Sequence, residues 1–124
     1  MTIHLDTSAL IHALTGRRQS LPFLIELVEQ GHRLSVSAPV LYEWLRGPRA
    51  PDELTAGEQL FARDTTVPFG PSQAHIAAGL YKTVKNPRGR EIDLAIAACA
   101  LSDGAALWTL NRRDFGDIPK LKLI

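Results

Sequence analysis

A helix-length stretch with apolar residues on every side is the feature that most limits how this 124-residue chain can fold. The stretch DLAIAACALS, residues 93–102, is apolar nearly all round, and the apolar run AALWTL follows it at residues 105–110. A helix that is apolar all round has to be buried, and a continuous apolar strand has to be covered on both faces. The pair therefore predicts a buried helix and a buried strand inside one hydrophobic core.

Short apolar runs alternate with helical patterns along the rest of the chain. Besides residues 105–110, strands are predicted at residues 2–5 (TIHL), 33–37 (RLSVS), 65–69 (TTVPF, a short strand or extended segment) and 121–124 (LKLI). Helices are predicted at residues 7–14, 21–30, 38–47, 53–63, 72–86 and 93–102. Strands that alternate with helices form βαβ units, so the pattern predicts an α/β fold with a parallel sheet.

Composition is that of an ordinary globular domain. Apolar residues make up 45% of the chain, charged residues 22%, and the net charge of +1 gives no overall field that would attract a polyanion. The single cysteine, Cys99, excludes an internal disulfide and is compatible with a cytoplasmic location. No apolar stretch approaches the roughly 18 residues of a membrane span. We therefore expect one domain over residues 1–124, in the cytoplasm and without membrane contact.

Four acidic residues fall where the strands and helices of such a sheet converge. Asp6 ends the first strand, Glu43 lies one to two turns into the helix after the second strand, Asp93 opens the buried helix, and Asp114 follows the LWTL run. Ligands of parallel sheets collect at the carboxyl ends of the strands. Clustered carboxylates repel one another unless a cation lies among them, and an oxygen-only set suits Mg²⁺ or Mn²⁺. Such ions support phosphodiester hydrolysis by activating water.

Each of these carboxylates also has an ordinary explanation. Asp6 and Asp93 can be helix N-caps, a role worth about 1 kcal/mol. Arg46 can neutralise a half-buried Glu43, and Asp114 taken alone is typical of a turn or a cap. The histidines show no metal-ligand spacing, so they add nothing to a metal site.

Four segments, in this order, resemble PIN-domain proteins, specifically the VapC-type toxins of bacterial and archaeal toxin–antitoxin pairs. The segments are IHLDTSALI, YEWLRG, EIDLAIAACAL, and LWTLNRRDF running into IPKLKLI. They span the chain, and the pattern T-x-N-x-x-D-F within the last one is quite specific. The resemblance implies a PIN-like α/β/α sandwich around a short parallel sheet, and Mg²⁺- or Mn²⁺-dependent endoribonuclease activity. Residues 47–71 follow no recognisable motif.

The resemblance also implies roles for individual residues and partners. The catalytic metal site would consist of Asp6, Glu43, Asp93 and Asp114, with Asp6 and Asp93 holding the main ion. Four flanking residues match positions that orient these carboxylates by hydrogen bonding: Thr7, Ser8, Thr109 and Asn111. The implied partners are an RNA substrate, a cognate antitoxin whose tail lies in the active-site groove, and a second copy of the chain in a homodimer.

Arginine outnumbers lysine ten to four, which favours contacts with phosphate groups. Eight arginines lie near the acidic motifs in sequence: Arg17, Arg18, Arg46, Arg49, Arg88, Arg90, Arg112 and Arg113. Of these we predict Arg46, Arg90, Arg112 and Arg113 as RNA contacts, which would make RNA affinity fall with salt.

Two other functions stay open on sequence grounds. One is a catalytically silent PIN-like module that only binds an antitoxin or nucleic acid. The other is a phosphatase of the haloacid dehalogenase type, although Ser8 stands where the second Asp of that family's D-x-D opening is required.

Overall fold

The computed structural model describes residues 1–124 and contains three strands and seven helices. The strands are β1 (Thr2–Leu5), β2 (Arg33–Ser35) and β3 (Ala106–Trp108). The helices are α1 (Thr7–Leu14), α2 (Leu21–Glu29), α3 (Ala38–Arg46), α4 (Pro51–Leu60), α5 (Pro71–Thr83), α6 (Glu91–Ser102) and α7 (Arg112–Phe115). A short 3₁₀ turn, Arg63–Thr65, follows α4. Each helix is too short or too polar to cross a bilayer.

The three strands form a parallel sheet in the order β2-β1-β3. Leu5 is level with Trp108, and His4 is level with Ser35. All three strands therefore end at the same edge of the sheet, so the residues that follow them are brought together. The parallel sheet predicted from the alternation of elements is confirmed.

Two of the predicted strands are reduced to single parallel bridges. Val67 pairs with Ser37 beside β2, within the predicted segment 65–69. The pairing stops there because the next residue, Pro68, has no N–H to donate. Leu123 pairs with Leu107 beside β3, so the strand predicted at 121–124 is wrong in its extent. Residue 121 still lies in a turn, because its backbone N–H donates to the carbonyl of residue 118. Pairing with β3 therefore begins later in the chain than predicted.

The helices cover both faces of the sheet. Helices α1 to α4 lie in connections that run from β1 through β2 towards the Val67 bridge, whereas α5 and α6 lie in the connection that returns to β3. Connections between parallel strands are right-handed, so connections that run in opposite directions place their helices on opposite faces. The contacts agree, since α1 packs against α2, α3 and α4, while α5 packs against α6. The expected α/β/α sandwich is confirmed.

Helix α6 is the buried helix that its composition predicts. Every residue from Leu94 to Ala100 is buried, and the helix packs against α5, β3 and α3. Burial also raises the pKa of the Cys99 thiol to about 11. A thiol of this kind holds almost no thiolate at neutral pH and is chemically inert.

Local capping moves two helices away from their predicted bounds. Helix α4 begins two residues before the predicted 53–63 helix because Pro51 suits the first helical position, and Glu53 accepts a hydrogen bond from the Ala50 N–H at 2.8 Å. Helix α5 ends three residues before the predicted end at 86. Asn86 has a left-handed φ of 53°, which does not continue a right-handed helix. It also precedes Pro87, and the residue before a proline disfavours the helical conformation.

Two glycines inside helices provide a matched test of core packing. An added Cβ at Gly79 of α5 would meet nothing within 4 Å, whereas at Gly57 of α4 it would lie 3.0 Å from Trp44 Nε1. Trp44 is buried and stacked under Arg49, whose guanidinium carbon lies 4.5 Å from the ring centroid. We expect Gly79→Ala to raise the free energy of unfolding by about 0.5–1 kcal/mol, and Gly57→Ala to lower it by about 1 kcal/mol through overpacking. Urea titration of both variants measures the difference, and equal gains at the two positions would contradict the packing of Trp44.

Candidate active site

Asp6 lies directly after β1 and is held by hydroxyl groups. Its backbone N–H donates to the Trp108 carbonyl at 2.9 Å, which fixes it against the end of β3. Its Oδ2 accepts hydrogen bonds from Ser8 Oγ at 2.8 Å and from Thr109 Oγ1 at 2.7 Å. Asp6 occupies the N-cap position of α1, but its side chain makes no capping hydrogen bond. The capping explanation is therefore wrong for this carboxylate, which is only 3% exposed and faces the site.

The two hydroxyls that hold Asp6 have their own orientation fixed by the backbone. Ser8 Oγ accepts a hydrogen bond from the Leu110 N–H at 3.1 Å, and Thr109 Oγ1 accepts one from the Asn111 N–H at 2.9 Å. A hydroxyl has a single proton to donate, and here each proton goes to Asp6. The network therefore fixes the position of the Asp6 carboxylate. Ser8 and Thr109 make the hydrogen bonds expected of them, whereas Asn111 contributes its main chain.

Glu43 is positioned from helix α3 by two contacts. Thr7 Oγ1, at the start of α1, donates to Glu43 Oε1 at 2.6 Å. Arg46 Nη2 lies 3.4 Å from Glu43 Oε2, so the ion pair that the sequence allowed is also present. The exposure of the Arg46 side chain makes this pair weak. Thr7 thus orients a carboxylate, as expected.

Asp93 is the third residue of α6, because the helix begins at Glu91 and not at Asp93 as predicted. The explanation of Asp93 as an N-cap is therefore wrong. Burial, followed by the negative charges of Asp6, Asp114 and Glu43, raises the pKa of the Asp93 carboxyl to about 6. The other three predicted carboxylates are thus close enough for their negative charges to act on Asp93. The positive charge of Arg90 compensates for these charges only in part.

Asp114 lies on the one-turn helix α7, which the sequence analysis missed. A clamp from Arg90 holds this turn: its guanidinium donates to Asp117 Oδ1 and Oδ2 at 2.6 and 2.9 Å, and to the Asp114 carbonyl at 3.1 Å. The hydrogen bond from Arg90 lowers the pKa of the Asp117 carboxyl. The only sequence signal for α7 was an asparagine before RRDF and a glycine after it, which matches helix cap preferences.

The clamp gives Arg90 a structural function that differs from its predicted RNA contact. Its side chain is 20% exposed and its donors are committed to Asp117 and Asp114. Arg112 and Arg113 are exposed and form no ion pair, so their guanidinium groups are available to phosphate. Their predicted RNA contacts, like that of Arg46, stay predictions.

The donor set fits a divalent ion that keeps part of its water shell. No three His, Cys, Asp or Glu side chains converge closely enough to form a ready-made ligand group, as expected of carboxylates that repel one another. Mg²⁺ retains several waters and needs only one or two carboxylates. Asp6 and Asp93 could supply these, and Asp6 Oδ1 accepts no hydrogen bond from the protein. The metal role of the four acids stays a prediction.

Comparisons with known proteins establish the family of this chain. The family model for the PIN domain matches residues 3–121. Ribonuclease VapC19 of Mycobacterium tuberculosis, in strains CDC 1551 / Oshkosh and H37Rv, is 31% identical over 120 residues, which cover 95% of each chain. The chain belongs to the VapC-type PIN-domain proteins. This membership removes the support for the phosphatase alternative.

Solved structures of VapC-type complexes share the fold. VapBC2 from Rickettsia felis, bound to a promoter DNA fragment, matches with a TM-score of 0.75 at 21% identity and covers 100% of this chain and 98% of that one. DNA-bound VapBC from Salmonella typhimurium matches with a TM-score of 0.76 at 22% identity, over 100% and 97%. At these identities the likeness establishes the fold of this PIN-domain protein.

The raised pKa of Asp93 has a measurable effect on stability. A folded-state pKa of about 6 against 3.8 in the unfolded chain means that the protein loses stability as the pH rises from about 4 to 6. Asp93→Asn removes this loss. In EDTA, we expect the variant to be more stable than the wild type by about 1–2 kcal/mol at pH 7–8, less than the full shift implies because the carboxylate is half exposed. Urea titrations between pH 4 and 8 should show the two proteins converging towards pH 4.

Asp117→Asn is the matched control. The pKa of Asp117 is lowered, so its stabilising contribution is present at every pH above about 4. This variant should be less stable than the wild type, by an amount that hardly changes between pH 5 and 8. A pH-independent effect at Asp93 would show that the pKa of its carboxyl is not raised in the folded protein.

Proposed function

We propose that this protein is a metal-dependent endoribonuclease, the toxin of a toxin–antitoxin pair. The observation that carries the proposal is the interaction of four carboxylates around Asp93 at one edge of the sheet, with too little positive charge to balance them. The 31% identity to a protein named Ribonuclease VapC19 supports RNA as the substrate. The presence of all four acids weighs against a catalytically silent module.

Hydrolysis at this site depends on how the chain holds its carboxylates. Ser8 and Thr109 hold the Asp6 carboxylate in place, and Thr7 holds Glu43 towards the same edge. Asp6 and Asp93, with Glu43 and Asp114 directly or through water, would hold Mg²⁺ or Mn²⁺, and the ion would supply a water of lowered pKa and a positive charge beside the phosphate. That positive charge would also lower the pKa of Asp93 and so favour its ionised form.

We also propose a cognate antitoxin as the inhibiting partner. VapBC structures from Rickettsia felis and Salmonella typhimurium, and a toxin–antitoxin complex from Klebsiella pneumoniae that matches with a TM-score of 0.72, share the fold. The homodimer and the cytoplasmic location stay predictions.

Cleavage of RNA tests the proposal directly. We expect the purified protein, free of any partner, to cut total RNA into discrete fragments only when Mg²⁺ or Mn²⁺ is present. Asp6→Asn and Asp93→Asn should lower the rate by about 100-fold or more, and Thr109→Val by about 10–100-fold, the usual effect of losing a group that orients a ligand. Gel electrophoresis of the RNA gives the rates.

Asp64→Asn is the control for removing a carboxylate, because Asp64 is exposed on the 3₁₀ turn and forms no ion pair. Its rate should equal that of the wild type. Cutting that persists in both Asp6→Asn and Asp93→Asn would reject this site as the source of the activity.

Metal binding can be measured without any substrate. A ligand that binds only the folded state stabilises it by about 2.7 kcal/mol at a concentration of 100 times Kd. We therefore expect Mn²⁺ to raise the Tm of the wild type and of Asp64→Asn, but to leave Asp6→Asn almost unchanged. Scanning calorimetry over a Mn²⁺ titration provides the measurement. An identical rise in Asp6→Asn would place the bound ion elsewhere.

A further inference from the structure

A polar cleft of about 430 Å³ lies next to the carboxylates, between α1, the loop of residues 15–20 and the end of β3. Its lining includes Ser8 and Leu110 as well as Arg17 and Arg18. Ser8 Oγ is the same hydroxyl that donates to Asp6 at 2.8 Å. The cleft and the candidate active site therefore share a wall, and a chain that crosses Ser8 passes from one to the other.

The loop that carries the two arginines is fixed in place. The N–H of Arg18 donates to the Thr15 carbonyl at 2.9 Å, and the His12 ring is hydrogen-bonded to the Ser20 hydroxyl. Arg18 has a left-handed φ of 52°, a conformation that costs a residue other than glycine of the order of 1 kcal/mol and persists only where the surroundings impose it. The backbone that carries the two arginines is thus positioned in advance, which reduces the entropy lost on binding.

The charge of the cleft is opposite to that of the carboxylate cluster. No acidic residue lines it, and Arg17 forms no ion pair. The one carboxylate near Arg18 is Asp52, at 3.5 Å, and the 75% exposure of the Asp52 side chain makes that pair weak. The net charge of the whole chain is only +1, so attraction for a polyanion has to come from local groups of this kind.

We propose that this cleft binds one unpaired nucleotide of the RNA next to the scissile phosphodiester. Arg17 and Arg18 contact its phosphate, since guanidinium groups match phosphate oxygens in geometry and charge. Leu110, which is 47% exposed, and Ile11 offer apolar surface to its base. The cleft lies at the lower end of the usual volume of small-ligand sites and cannot admit a duplex. The inference rests on the proposed ribonuclease function and adds a preference for single-stranded RNA.

RNA binding by the full chain in an Asp6→Asn background tests this proposal without cleavage. The probe is a fluorescein-labelled single-stranded oligoribonucleotide, followed by anisotropy at several salt concentrations. Arg17→Ala and Arg18→Asn should each raise Kd by about five- to tenfold; asparagine is chosen because it tolerates the left-handed backbone. Replacing both arginines together should also reduce the slope of log K against log salt by about 0.7, the value for one lost phosphate contact on a single strand.

Arg33→Ala is the matched control, because it removes the same charge at the start of β2, at the opposite end of the sheet. It should leave both the Kd and the salt slope unchanged. In the nuclease with Asp6 intact, Arg17→Ala and Arg18→Asn should raise KM by the same factors while kcat stays within about twofold. A duplex of the same sequence should bind weakly and without dependence on either arginine.

The outcomes separate this inference from the proposed function. If the wild type cuts RNA while Arg17→Ala and Arg18→Asn behave like Arg33→Ala, the cleft is no nucleotide site and the nuclease function stands. If the chain neither cuts nor binds RNA, both fail together. If the two variants weaken binding of an acidic antitoxin peptide but not of RNA, the cleft is a protein-docking site and the inference is overturned.

Discussion

Repulsion among four carboxylates at one edge of a parallel sheet is the constraint on which the rest of this structure depends. Burial, followed by the negative charges of Asp6, Asp114 and Glu43, raises the pKa of the Asp93 carboxyl to about 6, so the folded chain resists ionising this group. That resistance destabilises the fold at neutral pH in the absence of a cation. A purely structural domain gains nothing from it, whereas the proposed cation-binding site would need it, at a cost in stability.

The sheet brings the carboxylates together, and short polar contacts hold them there. Level strand ends put Asp6 beside Thr109, so that a hydroxyl from one strand end donates to the carboxylate of the next. Arg90 ties the start of α6 to the α7 turn, and so fixes Asp93 and Asp114 relative to each other. The buried helix α6 is the rigid support of this arrangement, because it cannot shift without exposing apolar core residues to water.

The fold could be predicted from the sequence where local pattern and tertiary environment agree. Helix α6 and strand β3 are apolar on all sides, so burial was the only option for both. The lengths of the edge pairings at Val67 and Leu123 could not be predicted from the sequence. A proline ends the first pairing and a turn delays the second, so each pairing is limited to one residue. The site residues could be listed from their order and a family resemblance, but the capping explanations of Asp6 and Asp93 could be rejected only once hydrogen bonds and helix bounds were seen. Nothing in the sequence pointed to the Arg90–Asp117 pair, because its partners lie 27 positions apart in two loops.

Net charge is a poor guide to the substrate of this protein, because its acidic and basic groups lie in separate places. The acidic residues that matter face one edge of the sheet, and three arginines that form no ion pair lie beside that edge: Arg17, Arg112 and Arg113. A uniformly basic surface would neutralise the carboxylates and remove the reason for a cation to bind. A uniformly acidic surface would repel the phosphate backbone. Keeping the two charges apart, but within reach of one polynucleotide chain, would allow a protein with a net charge of +1 both to hold the proposed cation and to attract RNA.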